Sequence, residues 1–207
     1  MIYTSGSWMV APVICFALLQ PGGSLEQVKR LGLAYLAERD FDRAAGKLEE
    51  VWEYDQTDPA VAEKLAVAYL NGQERRTRPE LATRAFDLMK TALEARGHAT
   101  MLVQHSHETL TFIQGENLTK FCAGELIISA GRISYIARYG EKPSEHSFAV
   151  ETLDLRDVSQ VTRSSSGMFH IKLRDKSYVM VPQTKEPQDA EFLLSQILHY
   201  CNRKRKN

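Results

Sequence analysis

The chain has 207 residues, is 43% hydrophobic and 25% charged, and carries 26 basic and 26 acidic side chains, a formal net charge of zero. That length holds one or two domains with an ordinary apolar content. The balanced charge excludes recruitment of nucleic acid or an anionic membrane by a global field, and three cysteines without a Cys-x-x-Cys spacing exclude a zinc ribbon or a thioredoxin-type site.

Residues 1–23 contain an uncharged apolar run from Trp8 to Leu19, followed by Gln20-Pro21-Gly22-Gly23. The run is too short to cross a bilayer as a helix. Its length suits the core of an export signal, but Met1–Ser7 carries no Lys or Arg and no Ala-x-Ala site follows. Two readings stand level: a signal peptide on an exported, periplasmic protein, or an apolar arm on a cytoplasmic one. Cys15 follows Val13-Ile14 rather than a small residue, which argues against a lipid anchor. Cys122 and Cys201 read as buried thiols, able to pair only if the protein is exported.

Helical periodicity runs from residue 24 to residue 97. Ser24-x-x-Gln27 forms a capping-box pattern ahead of Leu25, Val28, Leu31, Leu33, Tyr35 and Leu36. Asp40 precedes a second helical stretch with Phe41, Ala44, Leu48, Val51 and Trp52 on one face. Asp58-Pro59 pairs a good N-cap with a proline at the first helical position, opening a third helix through Leu65, Ala66, Tyr69 and Leu70 to Asn71-Gly72. After a polar linker, Thr77-x-x-Glu80 reads as a second capping box for a fourth helix with Leu81, Ala85, Leu88, Met89, Ala92 and Leu93, stopped by Gly97.

Within this stretch Leu31-Gly32-x-x-Tyr35 recurs 34 residues later as Leu65-Ala66-x-x-Tyr69, with Ala44 following the first copy and Ala85 and Ala92 the second. A fixed period of that size marks stacked helical hairpins, each unable to bury its apolar face alone. The pattern resembles the tetratricopeptide repeat. The resemblance implies a concave groove formed by Glu26, Lys29, Leu33 and Leu36 in the first unit and Ala60, Glu63, Val67 and Leu70 in the second. Peptide-carboxylate clamps of that family carry Lys and Asn along this face. Only Lys29 matches, while Leu33 and Val67 stand where polar clamps belong, so a receptor for a chain-terminal carboxylate is not expected. The partner-binding set expected from the resemblance is Lys29, Leu33, Leu36, Glu63, Val67 and Leu70. Exposed apolar surface is normally covered. That favours burial of the groove against the second half over an open grip on a hydrophobic peptide.

Near residue 98 the period changes to two. Alternation appears at Met101–His107, Cys122–Ile128, Ile133–Ala137, Phe148–Val150, Val158–Val161, Phe169–Leu173 and Tyr178–Met180, separated by turn residues. Thr184 is placed to cap a last helix with Ala190, Leu193, Leu194, Ile197, Leu198 and Cys201 in its stripe. The string Gly124-Glu-Leu126-Ile-Ile128-Ser-Ala-Gly131-Arg132-Ile133-Ser-Tyr135 resembles a strand hairpin of the pleckstrin-homology-like superfold, in its bacterial PH or GRAM-like form. That resemblance implies a seven-stranded antiparallel barrel or sandwich plugged by a C-terminal helix. Phosphoinositide readers of the superfold cluster Lys and Arg in the loop joining the first two strands. The matching loop, Glu108 to Thr119, has neither, and carries Glu108 and Glu116. A peptide or protein partner fits this departure better than a lipid phosphate.

The expected fold is therefore α+β. Residues 24–97 form an antiparallel unit of about four helices, residues 98–203 form the PH-like β-domain with its helix, and residues 204–207 form a basic tail. His105 and His107 share a strand face, and with His146 or His170 they are candidate metal ligands. No Cys or carboxylate stands at a metal spacing, and satisfied histidines are the commoner case. No His-Glu-x-x-His, Gly-x-Ser-x-Gly, phosphate-loop or dinucleotide motif occurs. The expected function is a non-catalytic scaffold that needs no cofactor and binds a peptide or protein partner, not nucleic acid or a small-molecule substrate. One alternative is a membrane-surface adaptor using the β-domain and Arg203–Lys206. The other is a histidine-based metal-binding protein.

Overall fold

The computed structural model describes residues 24–106, 121–129, 132–137, 148–150, 169–173 and 176–203. The expected signal or arm at 1–23, the loop at 108–119, the strand at 158–161 and the tail at 204–207 lie outside them.

Helix α1 (Leu25–Ala37) begins at the anticipated cap, where the Ser24 N–H donates to Gln27 Oε1 at 3.1 Å. Helix α2 (Phe41–Tyr54) starts at Asp40, whose carboxylate accepts from the Arg43 N–H. The two helices pack closely because residue 32 is glycine: a Cβ there would meet Leu48 Cγ at 2.9 Å. Helix α3 (Pro59–Asn71) is enclosed on nearly every side, with Val61 through Leu70 buried apart from Lys64. Helix α4 (Glu80–Arg96) lies against it and ends at Gly97, whose φ of 72° is the left-handed value a glycine cap supplies.

The Thr77 capping box does not form. Thr77 instead closes a short 3₁₀ turn (Glu74–Arg76), donating its hydroxyl to the Glu74 carbonyl, and Pro79 stands at the N-cap of α4. The polar linker thus holds a 3₁₀ turn. Within it Arg75 is buried.

The seven-stranded barrel is overturned. The described strands form one open six-stranded antiparallel sheet in the order β4-β3-β2-β1-β6-β5, with β1 (His98–Ser106), β2 (Phe121–Ser129), β3 (Arg132–Ala137), β4 (Phe148–Val150), β5 (Phe169–Leu173) and β6 (Lys176–Pro182). β4 and β5 stand at opposite ends and do not pair with each other. Alternation of apolar residues specifies strands and their buried face, but closure depends on which strands pair. Here β1 pairs with both β2 and β6, which leaves the two ends of the sheet apart.

Gly124 on β2 is required by its surroundings. A Cβ there would meet the Ile136 carbonyl oxygen at 2.5 Å and the Tyr135 ring at 2.6 Å. The space goes to Tyr135, which is fully buried and donates its hydroxyl to the Cys122 carbonyl at 2.7 Å. Burial, with Cys122 nearby, pushes the Tyr135 phenol up from its usual value.

The last helix, α5 (Pro187–Arg203), lies against β2 and β6. Ala190 and Leu193 are buried as expected. Thr184 stands ahead of the helix rather than at its cap, a position the Glu186 carbonyl takes; the Thr184 hydroxyl accepts from the Glu186 N–H and donates to Asp189 Oδ2 at 2.6 Å. Asp189, in the first turn of α5, is wholly buried and receives the Arg75 guanidinium. Phe86 of α4 stacks on Phe192 of α5 with ring centroids 4.3 Å apart. One continuous apolar cluster runs from Leu48 and Leu65 through Leu88, Met89 and Leu93 to Met101, Leu126, Tyr135 and Leu193, so helices and sheet share a core.

Candidate functional site

The joining of helices to sheet leaves a cleft of about 270 Å³ where α1, α3 and the end of α4 face β1 and β2. Each wall follows from local sequence. Asp58 caps α3 by accepting from the Ala60 and Val61 N–H groups at 2.9 and 3.2 Å, and Lys29 of α1 donates to the same carboxylate at 2.6 Å. Burial works to raise the Asp58 carboxyl, but the Lys29 ammonium and the two amides outweigh it and hold it below its usual value.

One turn further along α3, Glu63 is only 2% exposed. Its Oε2 accepts from Arg96 at 2.7 Å, with the Lys64 ammonium 3.8 Å away. Its Oε1 is buried and has no hydrogen-bond partner. Arg96 closes the last turn of α4, where a cation complements the helix dipole. His98 and Thr100 of β1 and Ile127 of β2 supply the sheet wall, and Leu33 and Val61 the apolar one. The cleft can therefore hold a polar group against Glu63 and rest apolar atoms on its neighbours.

Of the six partner-binding residues anticipated, Lys29, Leu33 and Glu63 line this cleft. The other three do not join them. Leu36 packs partly buried against the core, and Val67 and Leu70 are buried, with 5% and 2% exposure. Leu70 instead borders a second cavity, of about 510 Å³, beside Arg75 at the seam of α3 and α5. The groove of the resemblance is thus interrupted: Val67 and Leu70 are buried, and the N-terminal end of α3 borders the cleft. Ala60 lies at that end, while Glu26 faces outward and pairs with Arg30 at 3.2 Å.

Sequence reasoning missed Val61, Lys64, Arg96, His98, Thr100 and Ile127. Arg96 was legible only as a basic residue closing a helix, and the three strand residues become visible only once the sheet is placed. On α1, Leu25, Leu31 and Leu33 remain more than a third exposed, and of these Leu33 lines the cleft.

Of the candidate metal ligands, His105 and His170 lie on described strands. His105 is buried on β1, its ring 5.2 Å from that of Tyr135. His170 lies on β5, paired in register with Val179, and His107 and His146 lie outside the described residues. Among the described residues no three metal-ligating side chains cluster, and no helix is long and apolar enough to cross a membrane. No family model matches the chain, and no curated protein matches it.

Proposed function

We propose that this chain is a non-catalytic binding protein that takes an extended peptide segment of a partner protein in the cleft between its helical hairpins and its sheet. The observation that carries the reading is the cleft itself, where Lys29, Leu33 and Glu63 of the helices meet His98, Thr100 and Ile127 of the sheet. It combines an apolar wall with polar groups that fix orientation, the mixture expected of a recognition site. The helical hairpins support a tetratricopeptide-type origin for this half. Gly32 admits Leu48, while Leu65, Ala66 and Tyr69 are buried in the second unit.

Binding of a peptide array by the full chain tests the reading. Leu33→Glu is the informative variant, because Leu33 is 37% exposed and lines the cleft, whereas Leu36 packs on the core. Peptide binding lost in Leu33→Glu with an unchanged circular dichroism spectrum is the expected result. An array without binders, or a turnover activity abolished by a single polar substitution, overturns it.

A further inference from the structure

Resting on that peptide-binding reading, we propose that the cleft selects acidic segments, and that Glu63 Oε1 accepts a main-chain N–H from the acidic residue held there. Two independent observations carry this. The first is charge. Lys29, Lys64 and Arg96 line the cleft against a single lining carboxylate, Glu63. Asp58 pairs with Lys29, and Glu63 faces both Lys64 and Arg96, which leaves one positive charge in excess. The Lys64 and Arg96 side chains are 32% and 31% exposed, so both remain within reach of a ligand.

The second is the vacant acceptor. A buried carboxylate oxygen without a donor is costly, and such groups in native proteins are nearly always paired. Oε2 already holds Arg96 while Oε1 holds nothing, so the site asks for a donor at one oxygen of Glu63 beside cations at the other.

These demands narrow the ligand. A purely cationic group would satisfy Glu63 but meet Lys64 and Arg96 at close range. A bare carboxylate would satisfy the cations but face Glu63. An Asp or Glu residue within an extended peptide offers both partners, a main-chain N–H and, a few bonds away, a carboxylate. The apolar wall at Leu33 and Ile127 then receives the neighbouring side chain.

The test is an array of extended peptides graded in net charge from strongly acidic to strongly basic, read at low and high salt against the full chain. We expect the acidic peptides to bind best and to weaken as salt rises, because partly exposed charges are screened. Lys64→Glu, at a partly exposed side chain, should weaken the best acidic peptide about tenfold, as loss of a complementary charge does. N-methylation of that peptide at its acidic residue should abolish binding, and Glu63→Gln should weaken it. Binding indifferent to charge, or strongest for basic peptides, overturns acidic selection while leaving the peptide-binding reading intact. Unchanged affinity after an N-methyl scan overturns the role of Glu63. Failure of every peptide, whatever its charge, removes the reading on which the proposal rests.

Discussion

Arg75 and Asp189, 114 residues apart in the chain, meet through two parallel hydrogen bonds of 2.6 and 2.5 Å in the protein interior. The same guanidinium donates to the Leu70 carbonyl at 3.1 Å, and Thr184 donates to the same carboxylate. The fork ties the linker between α3 and α4 to the first turn of α5. A carboxylate there also complements the positive end of the helix. Removing one partner leaves the other charged and buried. Arg75→Ala or Asp189→Ala should therefore destabilise the fold by about 3–5 kcal/mol in chemical denaturation. Arg75→Met combined with Asp189→Leu should be less damaging than either single change, since neither charge is then stranded. A double variant as unstable as the sum of the singles would show that the pair contributes more than mutual neutralisation.

Leu93 sits where α4 meets the rest of the core and is 2% exposed. Leu93→Ala should cost about 2–5 kcal/mol through the cavity it leaves. Calorimetry should show one cooperative transition moving to lower temperature, because helices and sheet share a single apolar cluster. Two resolved transitions would show instead that each half holds itself together.

The helices were readable because each start carries its own chemistry. Ser24 with Gln27, Asp40, and Asp58 with Pro59 announce their helices locally, within four residues. The Arg75–Asp189 fork carries no such announcement. An arginine in the polar string Gln73–Arg78 looks solvated, and its partner lies beyond the whole sheet. The strands were readable by alternation, but their closure was not, since pairing of β1 with β6 is a long-range choice that period-two patterning leaves open. The cleft was half legible for the same reason. Lys29, Leu33 and Glu63 follow from the repeat resemblance, while the burial of Val67 and Leu70 does not.

Gly124 offers a backbone test of the sheet. Gly124→Ala should destabilise the protein by about 1–3 kcal/mol, as overpacking does, because the new methyl meets a carbonyl oxygen as well as the Tyr135 ring. Tyr135→Phe removes the hydroxyl bonded to the Cys122 carbonyl without opening that space. It should cost less, about 1 kcal/mol. Equal losses in the two variants would locate the constraint in the hydroxyl rather than in the missing Cβ.

Acid stability should depend on Asp58. Its folded value lies below the 3.8 of the free side chain. Its contribution is therefore present at neutral pH and is lost as pH falls below 3.8 through the lower folded value. Asp58→Asn should be less stable than the natural protein near neutrality, and the difference should shrink on acidification across that window. A difference independent of pH would mean that the carboxylate acts by shape and capping alone.

Phe192 and Asp189 both belong to α5, and both complete surfaces that the helical hairpins present from Arg75 and Phe86. During synthesis those hairpins leave the ribosome well before α5 does. For that interval the nascent chain carries a guanidinium without its carboxylate and an aromatic face without its lid. Folding proceeds as the chain emerges, N-terminal parts first, so the helical half waits in an incomplete form until the last helix is made. The newborn chain is thus most exposed to proteases and holdase chaperones just before α5 arrives, and loss of that one helix exposes surfaces encoded more than a hundred residues earlier.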